Sequence, residues 1–288
     1  GRGHFLINAE HAYSDPITHA IIRKNVYDNT YNWVINPAYG IGAGLSTSVP
    51  QYLALDQVGL ATATPGGIIT AGPLKGTVFL QGGTPAQFKY GNIISSQYMQ
   101  GGDWQTSRLN GQLQLNLMLQ RETIFTRASY DLTDSIQAFT ELQWSTAHST
   151  NDIGVPYFRL GNLTIKADNP FIPASVRTQM TALKLTQFTL GTWNGDFNEH
   201  NMGADNTRTF RRIMAGLEGN FDMADTNWKW GASYSRSTTH ISARSTNNPV
   251  VPRYLDAVDA TTNANGQIVC RIALTNPNTS CKPINVMG

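Results

Sequence analysis

The sequence predicts an all-β chain: a portion of an antiparallel transmembrane β-barrel with long extracellular loops. Three observations carry this expectation. Two hairpins alternate with period two from end to end; tight turns on one side of them face long connections on the other; and the composition is poor in charge without any long apolar run. Of 288 residues, 14% are charged, against roughly 25% in an average soluble domain. Mean hydropathy is still negative, at -0.28, because the polarity comes from Asn, Thr, Ser, Gln and 26 Gly. No stretch approaches the ~18 apolar residues of a spanning helix. Transmembrane strands hide from such a scan because they alternate. A secreted β protein would share the composition.

Taken in order, residues 4–13 read as a first strand. Phe5, Ile7, Ala9 and Tyr13 share one face, and His4, Leu6, Asn8 and Glu10 the other. Regular alternation is then lost from 18 to about 110, which predicts a long loop carrying small hairpins of its own. The first long hairpin puts Ile124, Thr126, Ala128, Tyr130 and Leu132 on one face, with Phe125, Arg127, Ser129 and Asp131 opposite. After a Thr133-Asp-Ser turn, Ile136, Ala138, Thr140, Leu142 and Trp144 alternate with Gln137, Phe139, Glu141 and Gln143. Alternation over arms this long is a strand signal, not a helix signal. A second long loop spans about 148–206, with Pro173 placed to start a short helix. The second hairpin sets Thr209, Arg211, Ile213, Ala215, Leu217, Gly219 and Phe221 against Phe210, Arg212, Met214, Gly216 and Glu218. It turns at Met223 to Thr226 and returns with Trp228, Trp230, Ala232 and Tyr234 outward and Lys229 inward. A third loop occupies 247–288.

Short turns on one side and long loops on the other are the asymmetry of an outer-membrane barrel. Phe221, Trp228 and Trp230 flank one short turn and Tyr130 lies near the other, as interfacial aromatics would. Arg127, Glu141, Arg212, Glu218 and Lys229 share the face opposite the apolar one. A dry core would not accept them all without costly desolvation, whereas a wet lumen or the water-facing side of a soluble sheet would. Arg211 alone falls on the apolar face, near the loop end of its strand, where its long stem can carry the charge to headgroup level.

Signals for catalysis are lacking. The six histidines, His4, His11, His19, His148, His200 and His240, show no metal spacing. Gly40-Ile-Gly-Ala-Gly44 has no helix after it and no spaced acidic partner, so it is not a dinucleotide fingerprint. Asp131, Asp134, Asp222 and Asp225 sit at turns, where Asp bonds its own backbone. No nucleophile elbow is present. The expectation is therefore no enzyme, no cofactor and no metal. A net charge of +2 gives no field that would favour nucleic acid. Cys270 and Cys281 lie in an Asn/Pro/Thr-rich segment with no histidine cluster. They read either as a local disulfide, implying an oxidising compartment, or as two free thiols. Ligand contacts are expected from loop aromatics, with Tyr31, Trp33, Tyr90 and Trp104 as candidates beside Tyr27, Tyr39 and Tyr98. Such rings suit stacking on a sugar or aromatic ligand, and equally suit packing inside the loop.

Several stretches resemble TonB-dependent receptors. Arg127-Ala-Ser-Tyr-Asp-Leu-Thr-Asp-Ser-Ile-Gln-Ala-Phe-Thr-Glu-Leu and Arg212-Ile-Met-Ala-Gly-Leu-Glu-Gly-Asn-Phe-Asp, with Trp228-Lys-Trp, look like their strand-turn-strand units. Asn169-Pro-Phe-Ile-Pro, Ile268-Val-Cys-Arg, Leu274-Thr-Asn-Pro-Asn and Cys281-Lys-Pro-Ile-Asn are similar to loops of that family. Gly1-Arg-Gly-His-Phe-Leu resembles an early barrel strand, and Gly66-Gly-Ile-Ile-Thr and Gly82-Gly-Thr-Pro the loop after it. The likeness is closest to the large receptors of sphingomonad-type Gram-negative bacteria. It implies the cell outer membrane, a barrel of about 22 strands, a plug inside it, and uptake of a scarce small molecule (a siderophore, carbohydrate or other nutrient) driven by the TonB complex. No plug or TonB box precedes Gly1, and the long strands are too few to close such a barrel. The expectation is an internal portion, residues 1–288, whose partners are outer-membrane lipid, the TonB complex through an N-terminal region not in this chain, and a small ligand. A passive porin or adhesin barrel, or a soluble β protein with one polar sheet face, are the rival readings.

Overall fold

Alternating arms can satisfy their backbone groups only by pairing with neighbours, and the structure, a computed structural model, shows those pairings at full length. It describes residues 1–17, 31–39, 49–95, 97–107, 114–152, 159–193 and 202–288. His19, Tyr27, His200, Gly40, Gly42 and Gly44 lie outside the described residues. The strands in chain order are β1 (Gly3–Ser14), β2 (Asn32–Ile35), β3 (Tyr52–Leu55), β4 (Val58–Leu60), β5 (Ile68–Ile69) and β6 (Thr77–Leu80). There follow β7 (Thr84–Gln87), β8 (Tyr90–Ile93), β9 (Tyr98–Gly102), β10 (Met118–Asp131), β11 (Ile136–Asp152) and β12 (Arg159–Lys166). The last are β13 (Gln187–Thr192), β14 (Gly203–Met223), β15 (Thr226–Thr246), β16 (Ala260–Thr262) and β17 (Ile268–Cys270). Helices α1 (Trp104–Ser107), α2 (Ala174–Ala182) and α3 (Val251–Val258) are short. Strand makes up 56% of the structure and helix 12%, so the chain is all-β and mostly antiparallel, with no closed barrel among the described residues.

Two units divide the chain. The first comprises Gly1–Thr18, Gln114–Asp152 and Gly203–Thr246. It is a five-stranded antiparallel sheet in the order β1-β10-β11-β14-β15. Pairing runs without a slip from Met118↔Thr150 to Asp131↔Gln137 between β10 and β11, and from Gly203↔Thr246 to Met223↔Thr226 between β14 and β15. Both short connections lie at one end of this sheet. At the first, the Leu132 and Thr133 N–H groups donate to the Ile136 carbonyl. At the second, Ala224 and Asp225 have φ 52° and 59°, the two consecutive positive values of a type I′ turn, whose twist matches the flanking strands. The long connections all leave from the opposite end, at Ser14, Met118, Asp152, Gly203 and Thr246. The arms of the second hairpin are longer than expected, at 21 residues each. Beyond Ser235 β15 is mostly polar, with Ile241 and Ala243 the exceptions, so the apolar rhythm stops while the backbone ladder continues.

The second unit comprises His19–Leu113, Ile153–Met202 and Asn247–Gly288. The three stretches expected as long loops therefore hold a core of their own. An antiparallel sheet, β12-β13-β5-β6-β7, packs Phe79, Leu163, Ile165 and Phe188 with Val176 and Met180 of α2 and Tyr254 and Val258 of α3. Each helix buries an i, i+4 pair on one face. Pro173 immediately precedes α2, as expected. A smaller cluster joins Ile68, Val78, Phe88 and Met99. β4 and β5 are buried along their whole length. Strands that short and buried on both sides show no alternation, so the sequence pattern concealed them.

Polar clamps bind these segments together. The Asn169 side-chain amide donates to the Val258 carbonyl at 3.2 Å, and its oxygen accepts from the Phe171 N–H at 3.0 Å. The Arg177 guanidinium donates to the Asn169 carbonyl at 2.9 Å. Asp168 accepts from Arg271 at 2.7 Å and from the Thr261 hydroxyl at 3.1 Å. Arg271 also reaches Asp259 at 3.1 Å, which takes Lys166 at 2.7 Å. Next to this network Cys270 is disulfide-bonded to Cys281.

The hydrogen bond from Arg271 holds the Asp168 carboxyl below its ordinary value, and the same bond raises the guanidinium further. A depressed carboxyl stabilises the fold fully above its ordinary value of 3.8 and loses that contribution as pH falls through the lowered one. The Asp168 side chain is 53% exposed, so solvent screening limits the contribution to under ~1 kcal/mol. Urea midpoints followed downward from about pH 4 are expected to fall more steeply for the wild-type chain than for Asp168→Asn. Equal acid slopes would contradict the clamp.

Candidate functional site

The register of the five-stranded sheet builds two chemically opposite faces. On one, Phe5, Ala128, Thr140 and Ala215 fall in one row, and Ile7, Thr126, Leu142, Ile213 and Arg236 in the next. Ala138 lies between Tyr130 and Leu217, and Trp230 pairs with Gly219. The apolar stretches Ile124 to Leu132, Ile136 to Trp144 and Ile213 to Phe221 are thus aligned across neighbouring strands. Each is about nine residues long, the length of a transmembrane strand. These side chains are uncovered: Phe5 is 70% exposed, Ile213 51% and Tyr234 73%.

The band has defined edges. At the turn end stand Tyr130, Phe221, Trp228 and Trp230; Phe221 pairs directly with Trp228. At the other end stands Trp144, followed on the same face by polar groups. There His11 faces Glu122 at 3.6 Å and His148 meets Asp205 at 2.9 Å. Arg211, paired in register with Trp144, lies on this face as the sequence predicted. Arg236, on the extension of β15, joins it; the alternation continued past Ser235 would have found it.

The opposite face carries the charges that alternation assigned to it. Arg127 binds Glu141 at 2.7 Å and Glu218 at 3.2 Å, and Arg212 binds Glu141 at 2.8 Å. The Arg127 guanidinium also sits 4.5 Å from the centroid of the Phe139 ring. Gly216 lies across from Phe139, and a Cβ there would come within 2.7 Å of the ring. A glycine at that position is what lets the ring lie on the sheet beneath the arginine, a pairing that sequence alternation did not disclose. Two arginines and two glutamates thereby balance one another across β10, β11 and β14.

The four candidate ligand aromatics lie in the second unit and fall into two environments. Trp33 and Tyr31 are exposed, at 74% and 63%. Trp33 borders a cavity of about 100 Å³ with Val34, Leu60 and Tyr98. Tyr90 and Trp104 instead pack against the smaller core cluster, Tyr90 edge-on to Phe88 at 5.0 Å. Tyr90 borders a different cavity, of about 220 Å³, with Thr62, Lys75 and Ile93. Burial raises its phenol above the ordinary value, and neither its hydroxyl nor that of Thr62 has a hydrogen-bond partner among the described residues. Among the described residues, no group of three or more His, Cys, Asp or Glu is placed to hold a metal ion, and no helix is long and apolar enough to cross a membrane. Comparison with protein-family models, with curated proteins and with solved structures returns no match.

An unpartnered buried hydroxyl is a cost to the fold, so removing it relieves that cost. Tyr90→Phe is expected to leave the urea midpoint unchanged or to raise stability by up to ~1 kcal/mol. A loss above ~1 kcal/mol would show that the hydroxyl makes a bond in solution.

Proposed function

We propose that this chain is a portion of an outer-membrane β-barrel belonging to a TonB-dependent receptor, which captures a small nutrient and imports it with TonB energy. The observation that carries the proposal is the continuous, uncovered apolar band across five strands. Five strands ~4.8 Å apart and a band ~27 Å along the strand make a patch of ~600 Å². That matches or exceeds the largest exposed apolar patch of a typical soluble monomer. A soluble sheet covers such a face with a second layer; lipid is the other partner that favours it. Aromatics at the turn-side edge and long connections confined to one end support the same reading.

In this reading the apolar face meets lipid and the face of Arg127, Glu141, Arg212 and Glu218 meets a water-filled lumen. Cross-strand ion pairs there brace the wall on its lumen side. Further strands pair with the edges of β1 and β15 that no described strand covers and close the barrel, because open edges of that length invite association. The second unit collects the three long connections into one folded body, and its exposed Trp33 and Tyr31 offer stacking surfaces. No bond of the ligand is made or broken; passage follows movement of a plug. A passive porin would share the band and the lumen. Coupled uptake is supported by the resemblance carried by Arg127-Ala-Ser-Tyr-Asp-Leu-Thr-Asp and Asn169-Pro-Phe-Ile-Pro.

Leu217, at mid-band, and Ser235, on the opposite face, separate lipid from water. Leu217→Arg is expected to cost ~2–4 kcal/mol of membrane stability and to shift the protein from the detergent-extracted outer-membrane fraction to aggregate. Ser235→Arg should remain in the membrane. Equal recovery of both would argue against a lipid-facing band. For coupling, uptake by the receptor that carries these strands should vanish in cells lacking TonB, whereas flux through a passive pore persists.

A further inference from the structure

The apolar face ends in two arginines without counterions. Arg211 follows Ile213 on that face of β14, and Arg236 follows Tyr234 on that face of β15. Since Ile213 pairs with Arg236 and Arg211 with Thr238, the two are diagonal cross-strand neighbours, with Cβ atoms within ~7–8 Å. Guanidinium arms that close can converge on one anion. Neither makes an ion pair or hydrogen bond among the described residues, whereas Arg127 and Arg212 on the other face share Glu141. The acids present on the same face are engaged elsewhere: Glu122 faces His11 and Asp205 holds His148. Trp144, in register with Arg211, marks the same level, since an indole settles where hydrocarbon gives way to headgroups.

We propose that Arg211 and Arg236 together bind the phosphate of an anionic lipid headgroup in the leaflet at the long-connection end of the sheet. The proposal rests on the lipid-facing reading of the band and adds a specific partner to it. A guanidinium fork matches phosphate oxygens bidentately. At the rim of the band the stems of both side chains can lie along hydrocarbon while their heads stay at the phosphate level. The position accounts for two positive charges on a face whose other members are apolar or uncharged from the row of Trp144 to the turns.

The test uses the full chain, transferred from detergent into vesicles of phosphatidylcholine alone or of phosphatidylcholine mixed with phosphatidylglycerol, and read by flotation. At about a fivefold gain per arginine, the pair is expected to favour the anionic vesicles by about 30-fold at low salt. Arg211→Gln with Arg236→Gln should abolish that preference and leave flotation with phosphatidylcholine unchanged. Arg208→Gln, on the opposite face, should keep it. Inorganic phosphate added at constant ionic strength should not erase it; if it does, the pair binds free phosphate and the lipid assignment fails. Retention of the preference in the double variant, or no preference in the wild-type chain, overturns the proposal while leaving the band intact. Failure to float with either vesicle overturns both.

Discussion

Register is the constraint from which the long sheet takes its character. Side chains alternate with a period of two, so a slip of one residue in any pairing would carry a strand's whole apolar set to the other face. The pairings of β1, β10, β11, β14 and β15 show no such slip. Leu142 therefore lies beside Ile213, Phe221 beside Trp228, and Glu141 within reach of both Arg127 and Arg212. The tight turns at 132–135 and at Ala224–Asp225 hold this register from one end, and the charged grid holds it from the middle. One apolar band and one balanced charged face are two results of the same pairing.

The two faces require different surroundings. A sheet with one apolar and one charged face needs an apolar partner on one side and water on the other. The charged side meets that need internally, since Arg127 stacks on Phe139 over Gly216 while its two arms engage Glu141 and Glu218. The apolar side is left bare across all five strands, and its edges are drawn by aromatic rings at the turns and by Trp144 and the arginines at the far end. An isolated soluble sheet would expose this face at a heavy hydrophobic cost. The proposed membrane setting turns the same area into the anchoring surface.

The sequence disclosed the long sheet far better than the second unit. Both hairpins, their faces, their turns and the place of Arg211 were legible because alternation persists over many residues. The extension of β15 to Thr246 was missed where the strand becomes mostly polar and the apolar alternation lapses. The core of the second unit was missed for a different reason. β4 and β5 are only a few residues long and buried on both sides, and the partners of Ile165 and Phe79 come from segments far apart in the chain. Long-range burial of that kind leaves no local period to detect. Of the aromatics chosen as ligand contacts, Trp33 and Tyr31 could be recognised by residue type but not by environment, and Tyr90 and Trp104 proved to be part of a core cluster's wall. The Phe139–Gly216 contact was beyond a pattern argument because it depends on which residue faces which across a strand pair.

The central claim, that one face of β14 lies against lipid and the other against water, is tested most directly by spin labels placed singly from Ile213 to Phe221 in the membrane-embedded protein. Collision with oxygen, which concentrates in hydrocarbon, and with a water-soluble nickel chelate should alternate in opposite phase. Oxygen should be favoured at 213, 215, 217 and 219, and the chelate at 214, 216, 218 and 220. Uniform access of the chelate to both sets, or an alternation of the reverse phase, would contradict the account.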